Sequence, residues 1–118
     1  MDCKWTEMPK IRRPYSRYAK HAAVLLGQLI RKARIDQKMT AEELADRAGI
    51  SRGLLRRIEK GDLGCTLGAV FEAAAVLGVR LFDADERMID SGIQSNNAIL
   101  TLMPKAIRTS HVKPDDDF

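Results

Sequence analysis

Residues 39–61 read MTAEELADRAGISRGLLRRIEKG, and they predict two short helices joined by a tight turn. The first helix begins with a capping box, in which the Thr40 hydroxyl and the Glu43 carboxylate accept each other's backbone amides. Gly49 supplies the positive φ that the turn requires, and Ser51 is a favourable N-cap for the second helix. This order of helix, short turn and helix is the feature of the sequence that is most informative about function.

The outer edge of the second helix is strongly basic. It carries Arg52, Arg56 and Arg57, whereas Leu55 and Ile58 are expected to point inward. A guanidinium group can form two hydrogen bonds with guanine O6 and N7, or it can hold a phosphate. The alternative is an ordinary helical hairpin with a basic solvated face. The caps, the turn residue and the arginines together favour a helix that reads the DNA major groove.

Further helices are predicted on both sides of this pair. Apolar residues at helical spacing predict one helix before it, with Pro14 in the first turn. Another begins at the cap Thr66 and ends at Gly78, and a last helix covers residues 88–103. β-forming residues at 79–83 predict a short strand between these two helices. The predicted fold is all-α, with a short C-terminal β-strand and an extra C-terminal helix.

Charge is distributed unevenly along the chain. The 118 residues include 20 Lys and Arg against 16 Asp and Glu, which gives a net charge of +4. Residues 26–61 hold nine bases and five acids, whereas residues 83–118 hold four bases and seven acids. This asymmetry predicts a polyanionic partner for the first half and a different partner for the tail. No apolar run approaches the roughly 18 residues of a membrane span, and no signal peptide is visible.

The sequence does not indicate an enzyme. The acids around Glu42 are expected on an exposed helix face beside a cap, and no phosphate-binding loop or nucleophile elbow is present. No cofactor is therefore expected. His21 and His111 lie far apart without a cysteine at ligand spacing, so we expect no metal site. Cys3 and Cys65 are too few for a disulfide framework and are expected to be free thiols in a reducing cytoplasm.

Three stretches, residues 26–34, 39–45 and 48–61, resemble the Xre/Cro family of helix-turn-helix regulators, which have the lambda-repressor-like fold. The resemblance covers roughly residues 26–78. It implies a helix-turn-helix bundle that binds double-stranded DNA. The family commonly has Gln directly after the capping Thr, where it contacts the DNA backbone. This chain has Ala41 there, so that anchor is missing.

The site residues that the resemblance implies lie on the third helix and its flanks. Base contacts are expected from Ser51, Arg52, Gly53, Leu54 and Arg57. Phosphate contacts are expected from Lys38, Arg56 and Lys60. The alternative interpretation of the two lysines is that they only increase solubility. The resemblance also implies a half-buried structural ion pair between the first and third helices, formed by Arg34 and Glu59.

Residues 60–70 and the predicted strand resemble HipB-type antitoxins, which are Xre-family proteins encoded beside a HipA-type kinase toxin. This resemblance implies a homodimer on a palindromic operator, with a strand pair across the two-fold axis formed by Val79, Leu81 and Phe82. The alternative for this segment is an extended linker. The group also has a flexible tail that reaches the toxin, and here the tail ends in Asp115, Asp116, Asp117 and Phe118. The alternative for the tail is a solubilising role.

The expected organisation has four parts. A flexible basic segment occupies residues 1–14, the helix-turn-helix domain residues 15–83, a helix residues 84–104 and a disordered acidic tail residues 105–118. The expected function is a cytoplasmic, nucleoid-associated repressor that serves as the antitoxin of a type II toxin–antitoxin pair. It would repress its own operon and bind a HipA-like kinase toxin. The alternatives are a stand-alone Xre-family regulator without a toxin and a protein-interaction module that no longer binds DNA.

Overall fold

The computed structural model of the protein describes residues 14–107. Over these residues the chain is all-helical, with five α-helices and no strand: α1 Arg17–Asp36, α2 Ala41–Ala48, α3 Arg52–Glu59, α4 Leu67–Leu77 and α5 Glu86–Thr101. The chain divides into two compact units, Met1–Arg80 and Leu81–Phe118. Helices α1–α4 therefore belong to the first unit, and α5 belongs to the second.

Helices α2 and α3 begin and end at the residues that local sequence predicts. Thr40 Oγ1 accepts a hydrogen bond from the Glu43 N–H at 3.0 Å, and Glu43 Oε1 accepts one from the Thr40 N–H at 2.8 Å. Gly49 ends α2 in the left-handed conformation with φ 72°. Ser51 Oγ then accepts from the Leu54 N–H at 3.0 Å. The capping box, the glycine turn and the second cap are all confirmed.

The starts of the outer helices are set by side-chain caps. Thr66 Oγ1 caps α4, and Gly78 ends it with φ 77°, as predicted. The prediction for α1 was wrong by about one turn, because Ser16 is the N-cap and Pro14 lies before the helix. Ser16 Oγ accepts from the Ala19 N–H at 3.1 Å and so satisfies one of the first free amides. Asp85 caps α5 in the same way, and the helix lies within the residues 84–104 that were expected to form it.

The predicted strand at residues 79–83 is absent. Phe82 and Asp83 both have positive φ, at 57° and 52°, and the Leu81 carbonyl accepts from the Ala84 N–H at 3.1 Å. Two successive left-handed residues reverse the chain, so β-forming side chains cannot extend here. The only pairing in this stretch is an isolated bridge between Leu81 and Ala84. The predicted strand pair across a dimer axis therefore has no strand to form it.

The buried apolar core lies in the first unit. Helix α1 packs against α3 and α4, and α2 packs against the same two helices. Ile30, Leu44 and Leu55 are fully buried at the centre. Leu29 of α1 and Leu67 of α4 lie outside this core, because they are 43% and 66% exposed.

Helices α1 and α3 meet at Gly27. A Cβ atom at this position would lie 2.5 Å from the carbonyl oxygen of Ile58 and 2.9 Å from that of Glu59. Both neighbours are backbone atoms of a helix, so they cannot move aside cheaply. Glycine at position 27 is therefore required by the close approach of the two helices.

Several predicted features fall on segments outside the described residues. These include the flexibility of residues 1–13, Cys3, His111 and the acidic end of the tail with Phe118, all of which stay predictions. Within residues 14–107, Cys65 is a half-buried free thiol, and burial raises the pKa of that thiol. No helix in this range is long and apolar enough to cross a membrane.

We predict that Gly27→Ala destabilises the first unit by about 1–3 kcal/mol, because the added methyl group overlaps the α3 backbone. The free energy of unfolding is to be measured by urea denaturation. Gly68→Ala is the matched control, since a Cβ at Gly68 would meet no atom within 4 Å. We expect the control to be neutral or slightly stabilising, by up to about 1 kcal/mol. Equal losses in both variants would contradict the proposed packing.

Candidate nucleic-acid interface

Helix α3 has one buried edge and one exposed edge. Leu55 and Ile58 are 0% and 3% exposed, and they fix the helix against α1 and α2. The opposite edge, which is exposed to solvent, carries Ser51, Arg52, Gly53, Arg56, Arg57 and Lys60. Leu54 lies between the two edges and is half-buried. The packing therefore presents one defined face of α3 to a partner.

The start of α3 is open to close approach. Ser51 Oγ accepts the capping hydrogen bond of the helix, which leaves its hydroxyl hydrogen able to donate outward. A Cβ at Gly53 would have no neighbour within 4 Å, so nothing in the described part of the chain shields this turn. Arg52 lies exposed between them. These three predicted base-contact residues are adjacent at the exposed helix start.

A basic groove of about 480 Å³ runs between α3, the end of α1 and the start of α2. Its lining includes five bases and one acid, namely Arg31, Arg34, Arg52, Arg56, Lys60 and Glu59. In the described part of the chain, no carboxylate forms an ion pair with Arg52, Arg56 or Lys60. We call this surface the basic groove. Its excess of positive charge suits an anionic ligand.

The one acid of the basic groove is held by Arg34. Arg34 Nε lies 2.7 Å from Glu59 Oε2, and Nη2 lies 3.1 Å from Oε1. The remaining terminal nitrogen, Nη1, donates to the Met39 carbonyl at 3.0 Å. The hydrogen bonds with Glu59 raise the pKa of Arg34, and the two side chains are only 13% and 10% exposed. Arg34 thus ties α1 to α3 and to the segment before α2.

Arg31 is a groove residue that the sequence reasoning missed. Its side chain is 62% exposed, and its Nε lies 3.9 Å from Glu59 Oε1. The signal was its position three residues before Arg34, because that spacing places both side chains on the same face of α1. Ala41 lines the groove too, at the first residue of α2. Its short side chain leaves space where the resembling family commonly has Gln.

Comparison with known protein families agrees with this geometry. Residues 30–83 match the family model described as helix-turn-helix. The chain carries a helix-turn-helix domain. The matched range contains α2, α3 and every residue of the basic groove, and it assigns a DNA-binding regulatory domain to them, not a catalytic one. No curated protein is significantly similar to the chain.

Arg57 of the helix-turn-helix domain is engaged differently from the other arginines of α3. Its Nε donates to Asp62 Oδ2 at 2.7 Å, and Asp62 Oδ1 accepts from the Gly64 N–H at 2.7 Å. These bonds lower the pKa of Asp62, with the Arg57 contact as the larger cause, and raise the pKa of Arg57. Arg57 also does not line the basic groove. Sequence reasoning missed Asp62, although an acid just after the helix-ending Gly61 was a usable signal.

The remaining predicted contact, Lys38, lies in the turn between α1 and α2. It is exposed and has a left-handed backbone with φ 56°, and it is outside the basic groove lining. Its phosphate contact stays a prediction. Within residues 14–107, no group of three or more His, Cys, Asp or Glu side chains is arranged to hold a metal ion.

Proposed function

We propose that the protein is a sequence-specific DNA-binding transcriptional repressor in which α3 reads the major groove. The observation that carries this proposal is the continuity of the exposed α3 edge with the basic groove. The major groove admits an α-helix, and its base edges present a distinct pattern for each base pair. Arg52 extends from the start of α3, where residues of a recognition helix contact base edges.

The basic groove supplies the phosphate contacts in this proposal. Arg31 from α1, Arg56 from α3 and Lys60 just after α3 line the same groove as the small Ala41 at the start of α2. We propose that these side chains take over the backbone anchoring that Gln provides in the resembling family. Each phosphate contact releases condensed counterions, so affinity should fall steeply with salt. Lys38 is a further candidate for this role, from the turn before α2.

We predict separate effects for base-reading and phosphate-binding residues. Arg52→Ala should weaken operator binding by about 1–3 kcal/mol and relax preference at one or two base pairs. Arg56→Ala or Lys60→Ala should weaken binding to all sequences alike and reduce the salt slope by about 1. Fluorescence anisotropy with operator and scrambled duplexes at several salt concentrations measures both effects.

Arg47→Ala is the matched control for these variants. Arg47 is an exposed arginine on α2 outside the basic groove lining, so the loss of its charge should leave the preference for operator unchanged. Footprinting on the promoter of its own operon should show a protected palindrome, since we propose autorepression. A protein that selects no sequence from a random duplex library would refute the proposal.

A palindromic operator also requires a homodimer, because two recognition helices must lie about 34 Å apart along the DNA. We propose that α5 forms the dimer interface. None of its residues is buried, although its sequence contains a stripe with alternating spacings of four and three, formed by Ile89, Ile93, Asn96 and Leu100, and Met103 continues that spacing just beyond the helix end at Thr101. That spacing is the seam of a coiled coil, and a polar Asn within the seam is a known device for setting register.

A second copy of α5 is the occupant that fits this seam. Ile93 and Leu100 are 54% and 61% exposed, and no charged residue occurs from Ser91 to Met103. Two such helices can therefore approach without repulsion along the seam. An identical seam on each chain forms an isologous, two-fold interface, as a palindrome demands. Within α5 the seam covers fewer than two heptads, so we expect a dimer of modest stability that DNA binding reinforces.

We predict that Ile93→Asp or Leu100→Asp shifts the protein to a monomer, because each places a charge within the seam. Sedimentation velocity at micromolar concentration measures the shift. Ala98→Asp is the control, since it introduces the same charge on the same helix outside the seam and should leave the dimer intact. A dimer in all three variants would exclude α5 as the interface.

The narrower proposal is that the repressor is an antitoxin of a type II toxin–antitoxin pair and binds a HipA-like kinase toxin. Its support is the resemblance of residues 60–70 to HipB-type antitoxins and the acidic tail with Asp115, Asp116, Asp117 and Phe118. A terminal aromatic ring can anchor in a pocket while the acids steer it to a basic rim. A stand-alone Xre-family regulator without a toxin partner is the alternative.

We predict that deletion of residues 112–118 weakens binding to the kinase encoded beside this gene at least about tenfold, because anchor and steering charges are lost together. Calorimetric titration measures this affinity, and operator affinity measured in parallel should stay constant. Unchanged toxin binding and neutralisation would reduce the tail to a solubilising segment. A neighbouring reading frame without kinase character would favour the stand-alone regulator.

A further inference from the structure

We propose that Asp62 is a positioning residue that determines the DNA specificity of Arg57. This inference rests on the proposed function of α3 as a reading helix. Arg57 occupies a predicted base-contact position, and Asp62 is the one acid in the described part of the chain that forms an ion pair with it. Asp62 therefore places a carboxylate beside a surface that is proposed to meet phosphates.

Asp62 is itself held firmly by the backbone. Its N–H donates to the Arg57 carbonyl at 3.0 Å, and its Oδ1 accepts from the Gly64 N–H at 2.7 Å. The remaining oxygen, Oδ2, accepts from Arg57 Nε at 2.7 Å. The loop therefore orients the carboxylate, and the carboxylate orients the guanidinium group.

Gly64 allows this arrangement to be compact. A Cβ at this position would lie 3.1 Å from Arg57 Nη2 and 3.2 Å from Asp62 Oδ1, so the guanidinium group lies along the loop backbone. The backbone before it turns at Gly61, whose φ is 83°. The conformation of the loop after α3 thus fixes the position of the ion pair between Arg57 and Asp62.

The hydrogen bond to Nε leaves the two terminal nitrogens of Arg57 as donors. These two nitrogens can still form a fork with guanine O6 and N7, because such a pair needs two parallel N–H donors. A guanidinium group that is already oriented loses less rotamer freedom on binding than a mobile one. Asp62 therefore favours one binding geometry of Arg57 over the many that a free arginine can adopt.

The carboxylate also disfavours the competing use of Arg57 as a phosphate contact. Non-specific binding is almost wholly an attraction between cations and phosphates. Asp62 offsets the charge of Arg57 and repels any phosphate that approaches the pair, since like charges repel. Arg52 and Arg56 have no such acid partner in the described residues. Asp62 thus makes Arg57 a weaker phosphate contact than the other arginines of α3.

The test variant is Asp62→Asn, which removes the charge but retains an oxygen for the Gly64 N–H. The dissociation constants of operator and scrambled duplexes are measured at one salt concentration. We expect the ratio of the two constants to fall about tenfold, mainly through tighter binding to scrambled DNA. Asp46→Asn removes an equal charge from an exposed position on α2 and should leave the ratio within about twofold of the parent value.

A double-mutant cycle shows whether Asp62 acts through Arg57. In an Arg57→Ala background, Asp62→Asn should cause no further fall in the ratio. An unchanged ratio in the single variant, or an equal fall in both backgrounds, would overturn the inference. A parent protein that does not distinguish operator from scrambled DNA would instead refute the proposed function. Thermal unfolding followed by circular dichroism verifies that each variant is folded, which the exposed loop position of Asp62 leads us to expect.

Discussion

The close approach of α1 to α3 at Gly27 is the contact on which the first unit depends. No side chain fits between the two backbones there, so the helices touch directly. Two turns further along α1, Arg34 and Glu59 join the same pair of helices by two hydrogen bonds. The steric contact at Gly27 and the polar clamp at Arg34 both hold the C-terminal end of α3, and together they set the angle of α3 on α1.

This angle determines which side chains of α3 are available. Leu55 and Ile58 are committed to the core, so the exposed edge can point in only one direction. Glu59 has a second effect, because it is the one acid in the basic groove lining and both of its oxygens are bonded to Arg34. Its charge is thereby balanced locally. The groove retains the positive charge of its other arginines and of Lys60, and the clamp that orients α3 also preserves the field that attracts DNA.

Much of the fold could be predicted because its signals are local. A capping box such as Thr40 with Glu43 depends on residues only three positions apart. Gly49 and Gly78 are found where a helix end requires a positive φ, which is a property of a single residue. The prediction of a strand at residues 79–83 from the β-propensity of its residues was wrong. Their side chains favour a strand, but Phe82 and Asp83 adopt left-handed conformations that reverse the chain. Propensity reports the average behaviour of a residue type and is overridden by a turn of this kind.

The candidate site was only partly predictable, because its residues differ in their partners and not in their types. The resemblance already implied Arg34 as the partner of Glu59, but the sequence presents Arg52 and Arg57 as equivalent cations on one helix. In the structure Arg34 forms an ion pair with Glu59, Arg57 forms one with Asp62, and Arg52 lines the basic groove. Both pairings depend on where a loop or a second helix places an acid. A count of arginines therefore indicates attraction to DNA, whereas the acids beside them determine which arginines remain available to read it.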